Sequence, residues 1–150
     1  MKQLIACLIT SLLFIVACST LTLQPANFSW PIESVLPIDS DGNVVEERYS
    51  LEFNTAGLFF EEFQDSMAFG GKEMRLIRDN KGYYFMTAIS FKNVYVFKAY
   101  DGTLTKKNKI LINETGMQNP LFNQRDPFIE LVDGLTKLNL TNEGIEGGLK

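Results

Sequence analysis

The residues with which this chain could carry out chemistry are carboxylates, tyrosines, serines and lysines, because the 150-residue sequence contains no histidine. Without histidine there is no Ser-His-Asp triad, no Cys-His pair and no imidazole metal ligand. The two cysteines are Cys7 and Cys18, so residues 19–150 hold no thiol for a disulfide, a zinc finger or an iron–sulfur cluster. The composition therefore predicts a protein without a metal and without a cofactor.

Adjacent carboxylates occur at Glu46-Glu47 and at Glu61-Glu62. A glycosidase requires two carboxylates that face one sugar from different elements, with the pKa of one of them raised by burial. Neighbouring residues on a strand point to opposite faces, so neither pair forms such a site by itself. A carboxylate-based hydrolase that combines the two pairs is the least favoured of three functional hypotheses, and we predict that the protein is not an enzyme.

Aromatic residues are concentrated between positions 83 and 100. Their faces stack on sugars and fill protein interfaces, and strand alternation places one subset in a core and the other on a surface. The following segment, residues 113–127, is polar and has the length of a functional loop. The candidate binding surface consists of Tyr83, Tyr84, Tyr95, Phe97, Tyr100 and Arg125.

The elements that must position these residues are β-hairpins. Asp-Gly pairs at 41–42, 101–102 and 133–134 are typical hairpin turns, because aspartate and glycine tolerate positive φ. Alternation of polar and apolar residues predicts a half-buried strand over residues 45–53. Residues 83–89 and 94–100 are apolar or aromatic at nearly every position, which is typical of strands covered on both faces.

The segments that follow predict two further hairpins. Residues 103–112 pair with residues 94–100, and the lysines among them are typical of an edge strand that resists aggregation. Residues 128–132 and 135–140 form the last hairpin.

One short helix is predicted near residues 56–68, where Phe59, Phe63 and Met67 recur at every fourth position before Gly70-Gly71. An alternative interpretation makes residues 58–63 a strand. The fold class is therefore α+β or mainly β, a small antiparallel sheet built from hairpins with this helix.

The amino terminus resembles a targeting signal. Lys2 precedes an apolar run from Leu4 to Ala17, as in a secretory signal peptide. The run ends in Ile15-Val16-Ala17-Cys18, which resembles the lipobox of bacterial lipoproteins. The resemblance covers only residues 1–18, and it implies cleavage before Cys18 and a lipid on the Cys18 sulfur. The alternatives are an uncleaved anchor over residues 4–23 and an ordinary cleaved signal.

These patterns predict three parts: a signal peptide over residues 1–17, a lipidated cysteine with a tether over residues 18–27, and one β-rich domain over residues 28–150. Cleavage removes one of the 14 basic residues, Lys2, and none of the 18 acidic ones, so the net charge becomes −5. This charge disfavours nucleic acid as a partner and electrostatic binding to anionic lipid headgroups.

The leading functional hypothesis is an envelope lipoprotein, attached to the membrane by its lipid, that binds a partner protein or serves as an accessory subunit of a membrane assembly. The alternative is a binding module for a glycan or small ligand that uses the aromatic face. Every interpretation of the amino terminus places the domain outside the cytoplasm. Ser19 after Cys18 is compatible with the outer membrane if the cell is Gram-negative.

Overall fold

The structure is a computed structural model that describes residues 32–147; the predicted signal peptide, Cys18 and the tether lie outside the described residues. Over residues 32–147 the chain forms eleven β-strands and one α-helix, and the strands assemble into three antiparallel sheets. The prediction of an α+β or mainly β domain built from hairpins is confirmed.

The main sheet has five strands, and its central strand is buried on both faces. In spatial order the strands are β1 (Ser34–Pro37), β4 (Glu73–Arg78), β5 (Tyr83–Ala88), β6 (Asn93–Tyr100) and β7 (Thr103–Leu111). Every residue of β5 from Tyr84 to Ala88 is buried, as its apolar sequence predicts. The lysine-rich β7 lies at the edge, and Asp101 and Gly102 adopt positive φ in the turn that joins it to β6.

A second sheet covers one face of the main sheet. In spatial order its strands are β11 (Gly144–Ile145), β10 (Thr136–Thr141), β9 (Phe128–Asp133) and β8 (Pro120–Arg125). Glu33 joins the two sheets, because it accepts hydrogen bonds from Arg75 Nη1 on β4 and from the Phe122 backbone N–H on β8, both at 2.9 Å. Burial raises the pKa of Glu33, although these two donors act in the opposite direction.

The predicted loop over residues 113–127 is wrong in its second half, because residues 120–125 form β8. This strand pairs with β9 in continuous register from Pro120↔Asp133 to Arg125↔Phe128. Pro120 opens an edge strand, where its missing N–H removes no ladder hydrogen bond. Phe122 is buried against the main sheet, and its burial favours the strand conformation although the segment is polar in composition.

The predicted strand over residues 45–53 is also wrong. It is divided into β2 (Asn43–Glu46) and β3 (Leu51–Asn54), which pair with each other as a two-stranded sheet. A 3₁₀ turn over Glu47–Tyr49 and a positive φ of 51° at Ser50 reverse the chain between them. Glu46 is consequently buried, and its carboxylate accepts hydrogen bonds from the Arg48 backbone N–H and from Arg48 Nε, each at 3.1 Å.

The helix α1 (Ala56–Phe63) covers the other face of the main sheet and is shorter than the sequence predicts. It begins where Asn54 Oδ1 accepts the Ala56 backbone N–H at 2.9 Å, and it ends at Gln64, which has a φ of 58°. Met67 therefore lies beyond the helix with 64% of its surface exposed. The fully buried ring of Phe59 anchors α1, with its centroid 4.9 Å from that of Phe91.

Candidate functional site

A groove of about 300 Å³ lies beside α1 on the main-sheet face that this helix partly covers. Its floor and walls are mainly apolar, and its rim carries one carboxylate and one ammonium group. The residues that line it are Phe53, Asn54, Gly57, Leu58, Glu61, Met86, Phe97, Leu104 and Lys106. We call this feature the α1 groove.

Strand register explains why β6 and β7 contribute to the α1 groove. Phe97 of β6 pairs with Lys106 of β7, and Ala99 pairs with Leu104, so these side chains share one face of the sheet. Phe97 and Leu104 are half-buried, because α1 covers only the part of this face nearer to the start of β6. An apolar floor is thereby left open to solvent.

Gly57 forms the α1 side of the groove by lacking a side chain. A Cβ built at this position would meet no atom within 4 Å. Glycine within a helix costs about 0.5–1 kcal/mol relative to alanine. The residue therefore leaves open space beside the groove at a small cost in stability.

The rim of the groove is formed by an exposed ion-pair cluster. Glu61 accepts hydrogen bonds from Lys106 Nζ and, at 3.4 Å, from Lys109 Nζ. The hydrogen bond from Lys106 is the main reason that the pKa of Glu61 lies below its ordinary value. Because β7 also carries Lys107, the strand beside the groove is locally basic in a chain that is acidic overall.

The neighbouring carboxylate, Glu62, forms hydrogen bonds within the protein rather than at the rim of the groove. It accepts hydrogen bonds at 2.8 Å from the Lys92 backbone N–H, from Asn93 Nδ2 and from Tyr95 Oη. These three bonds fasten α1 to the start of β6. Glu46 and Glu62 are therefore engaged in contacts that hold the fold together, whereas Glu61 pairs with exposed lysines at the rim. This arrangement lends no support to a carboxylate-based hydrolase.

Tyr95 makes stability sensitive to alkaline pH. Its burial and, secondarily, its hydrogen bond to Glu62 raise the pKa of Tyr95 well above its ordinary value of about 10. The folded state therefore keeps a proton that the unfolded chain releases near pH 10, so this stabilising contribution is complete below pH 10 and is lost as the pH rises further.

We expect Tyr95→Phe to reduce the fall in unfolding free energy above pH 10 by up to about 1.4 kcal/mol per pH unit. The measurement is urea denaturation of both proteins at a series of pH values on either side of 10. Tyr100→Phe controls for loss of a hydroxyl at an exposed position. Identical slopes for wild type and Tyr95→Phe would contradict the assignment.

The six residues of the predicted binding surface lie in different parts of the structure. Tyr84 and Tyr95 are buried in the core and belong to no surface, so this part of the prediction is wrong. The reason is that both strands are covered on this face, by the ring of Tyr49 against Tyr84 at 5.7 Å and by Glu62 against Tyr95. Phe97 alone lines the α1 groove.

The other three residues lie elsewhere. Tyr83 is half-buried on the opposite face from Phe97, with Lys98 Nζ 4.2 Å above its ring centroid. Tyr100 lies at the end of β6 with 78% of its surface exposed. Arg125 on β8 forms an exposed ion pair with Glu130, with 3.5 Å between Nε and Oε2.

Sequence reasoning misses the aliphatic part of the groove. On β7, Leu104 and Lys106 occupy alternate positions between threonine and lysine residues. Leu104 is the apolar member of this alternation, and it could have indicated an isolated apolar position on an edge strand. Gly57, Leu58 and Met86 come from other elements, and only the tertiary fold brings them to the same place.

Over residues 32–147 no helix has the length and apolar character needed to cross a membrane. In the same part of the chain, acidic side chains nowhere gather in a group of three that could hold a metal ion. Comparisons with protein-family models, with curated proteins and with solved structures find no match to this chain.

Proposed function

We propose that this protein is a lipoprotein of the bacterial envelope, attached to the membrane through Cys18, that binds a partner protein through the α1 groove and carries out no chemistry of its own. The resemblance of Ile15-Val16-Ala17-Cys18 to a lipobox supports the anchor. The observation that carries the binding function is the solvent-open apolar floor at Phe97 and Leu104, beside the missing side chain of Gly57.

The dimensions of the groove favour insertion of one or two apolar side chains of a partner. Full burial of one such side chain contributes about 1.5–3 kcal/mol, so the groove can supply a central anchoring contact but requires further contacts around it. The charged groups at Glu61 and Lys106 lie at the rim, where charges set orientation and association rate more than affinity. This arrangement fits an accessory subunit of a membrane assembly.

Filling the groove tests its role without disturbing the core. Gly57→Met places a side chain in open space and replaces glycine by a good helix former, so we expect folding to be preserved. Gly70→Met is the matched control, because a Cβ at Gly70 also meets no atom within 4 Å and Gly70 does not line the groove.

We expect a partner to co-purify from solubilised envelope with wild type and with Gly70→Met, and its recovery to fall at least tenfold with Gly57→Met, since 1.4 kcal/mol of lost contact is sufficient for that change. Thermal unfolding of all three proteins confirms that folding is intact. Recovery of the same amount of the partner with Gly57→Met would show that the partner does not bind in the α1 groove.

The anchor is tested separately by metabolic labelling with a palmitate analogue. We expect wild type to be labelled and to sediment with membranes, and Cys18→Ala to lose the label. A variant that loses the label and leaves the membrane fraction supports lipid attachment, since several acyl chains are needed for lasting attachment. A labelled Cys18→Ala protein would contradict the assignment of Cys18, and an unlabelled wild type that stays in membranes would favour an uncleaved apolar anchor.

A small apolar ligand is the second candidate, because about 300 Å³ is the lower end of the volume range of small-molecule sites and Phe97 offers a ring at the floor. The probe for this function is N-phenyl-1-naphthylamine, whose emission rises in apolar surroundings. Enhancement with wild type and Gly70→Met but not with Gly57→Met would favour a ligand over a protein partner.

A further inference from the structure

The exposed face of α1 carries an aromatic side chain next to the α1 groove. Phe60 is 52% exposed, whereas the other phenylalanines of residues 32–147 are buried or half-buried. Phe60 follows Gly57 by three residues, so the two positions are neighbours on the helix surface. Side chains of a helix lean toward its amino-terminal end, and Phe60 therefore covers the helix turn that contains Gly57.

Phe60 and the groove lie on different sides of this exposed face. Successive residues of a helix turn by about 100°, which places Phe60 on one side of Gly57 and the groove residues Leu58 and Glu61 on the other. Phe60 does not line the groove of its own chain. The same helix thus presents an apolar projection on one side and an apolar opening on the other.

The projection and the opening agree in size and in chemistry. The groove of about 300 Å³ admits one or two apolar side chains, and Phe97 on its floor offers a ring against which a second phenylalanine ring can pack. A surface that carries both a projection and the opening that accepts it is self-complementary. Twofold symmetric dimers form through surfaces of this kind.

The charges on the two sides of the groove are complementary as well. Within its bounds α1 has two carboxylates and no basic residue, whereas β7 has three lysines and no acidic residue. Lys106 and Lys109 share the single carboxylate of Glu61, which leaves one ammonium group in excess at the rim. Asp65, exposed just beyond the end of α1, supplies a further carboxylate on the helix side. An α1 surface is therefore electrostatically suited to lie against the β7 side of another copy.

We propose that a second copy of this chain occupies the α1 groove until a partner displaces it. In this dimer Phe60 of each copy enters the groove of the other, about a twofold axis that runs along α1, and α1 of each copy lies against β7 of the other. A separate partner accounts for the groove alone, whereas a second copy accounts for the groove and for the exposure of Phe60. The regulatory consequence rests on the proposed function, because it is the partner's groove that the dimer fills. Attachment of both copies to one membrane raises their effective concentration, so a weak contact is sufficient.

The experiment uses full-length protein expressed in the same cells with two different affinity tags and solubilised from the envelope with detergent. Phe60→Ala removes the projection and keeps the groove, whereas Gly57→Met fills the groove and keeps the projection. We expect either variant, present in both copies, to lower co-isolation of the second tag at least about tenfold, because symmetry removes two contacts at once.

A mixed pair tests the reciprocal geometry. One copy with Phe60→Ala and one with Gly57→Met together retain one intact projection and the groove that accepts it, so we expect more co-isolation than with either variant in both copies. Leu135→Ala is the control, because Leu135 is a fully exposed apolar residue in the turn between β9 and β10 and should leave co-isolation unchanged. Undiminished co-isolation with Phe60→Ala in both copies would overturn the dimer, and a mixed pair no better than both uniform pairs would overturn its geometry.

Photo-crosslinking separates this inference from the proposed function. With p-benzoylphenylalanine in place of Phe60, we expect an adduct of twice the mass of the chain in intact cells. Adducts from position 60 that contain only other proteins would overturn the dimer and leave partner binding in the groove intact. If the dimer adduct forms while Lys106, substituted in the same way, captures only a second copy, the dimer stands and the proposed partner function fails.

Discussion

Phe59→Ala is expected to lower the free energy of unfolding by about 3–5 kcal/mol. Phe59 is fully buried, and its ring lies within 6 Å of the rings of Phe63, Phe69 and Phe91, measured between centroids. Its removal leaves a cavity beneath α1 that the paired strands of the main sheet cannot collapse to fill. Urea denaturation followed by circular dichroism measures the loss.

Phe60→Ala is the matched control, because Phe60 is the next residue of α1 and is 52% exposed. We expect it to cost less than about 1 kcal/mol, since little apolar surface returns to water. Equal losses for the two variants would show that α1 does not dock on the sheet through Phe59, and the α1 groove would then lose one of its walls.

Glu62→Ala is expected to cost about 2–4 kcal/mol, whereas Glu61→Ala should cost less than about 1 kcal/mol. The two carboxylates are adjacent on α1 and differ in their partners. Loss of Glu62 leaves Tyr95 Oη and Asn93 Nδ2 without their acceptor in a buried setting. Loss of Glu61 breaks ion pairs with two exposed lysines, which water solvates well.

The measurement is again urea denaturation, carried out near neutral pH. A double variant with Tyr95→Phe adds a check, because removing both hydrogen-bond partners costs less than removing the acceptor alone. A larger loss for Glu61→Ala than for Glu62→Ala would contradict the division into a rim carboxylate and a structural one.

Local sequence signals predict two of the three Asp-Gly hairpins; the pair at residues 41–42 instead joins β1 to β2, which lie in different sheets. The Asp-Gly pairs at residues 101–102 and 133–134 form the turns that their chemistry predicts, with positive φ at Gly102 and Gly134. The continuous apolar run of β5 predicts burial on both faces, and the lysines of β7 predict an edge strand. In each case the signal lies within a few residues and needs no knowledge of tertiary contacts.

The errors occur where tertiary contacts override local pattern. Polar residues 120–125 form a strand because Phe122 packs into the core and the backbone pairs with β9. Residues 45–53 alternate as a strand should, yet the turn at residues 47–50 reverses the chain and buries Glu46. The turn at residues 47–50 contains no glycine or proline that could have indicated it.

The candidate site is the least predictable part. The clustering of aromatic residues in the sequence identifies Phe97, but it also identifies Tyr84 and Tyr95, which are buried in the core. Aromatic side chains favour cores and interfaces alike, so their number cannot tell one from the other. Gly57 contributes to the proposed groove because it has no side chain at the surface of α1. The position of that surface depends on the whole fold.

The most direct test of the account is photo-crosslinking at the groove rim in intact cells. p-Benzoylphenylalanine at Lys106 lies on the rim of the α1 groove, whereas at Thr105 it occupies the neighbouring position of β7 and points to the opposite face. We expect a crosslinked partner from position 106, none from position 105, and loss of the crosslink when Gly57→Met fills the groove. Equal crosslinking from both positions, or a crosslink that persists with Gly57→Met, would contradict it.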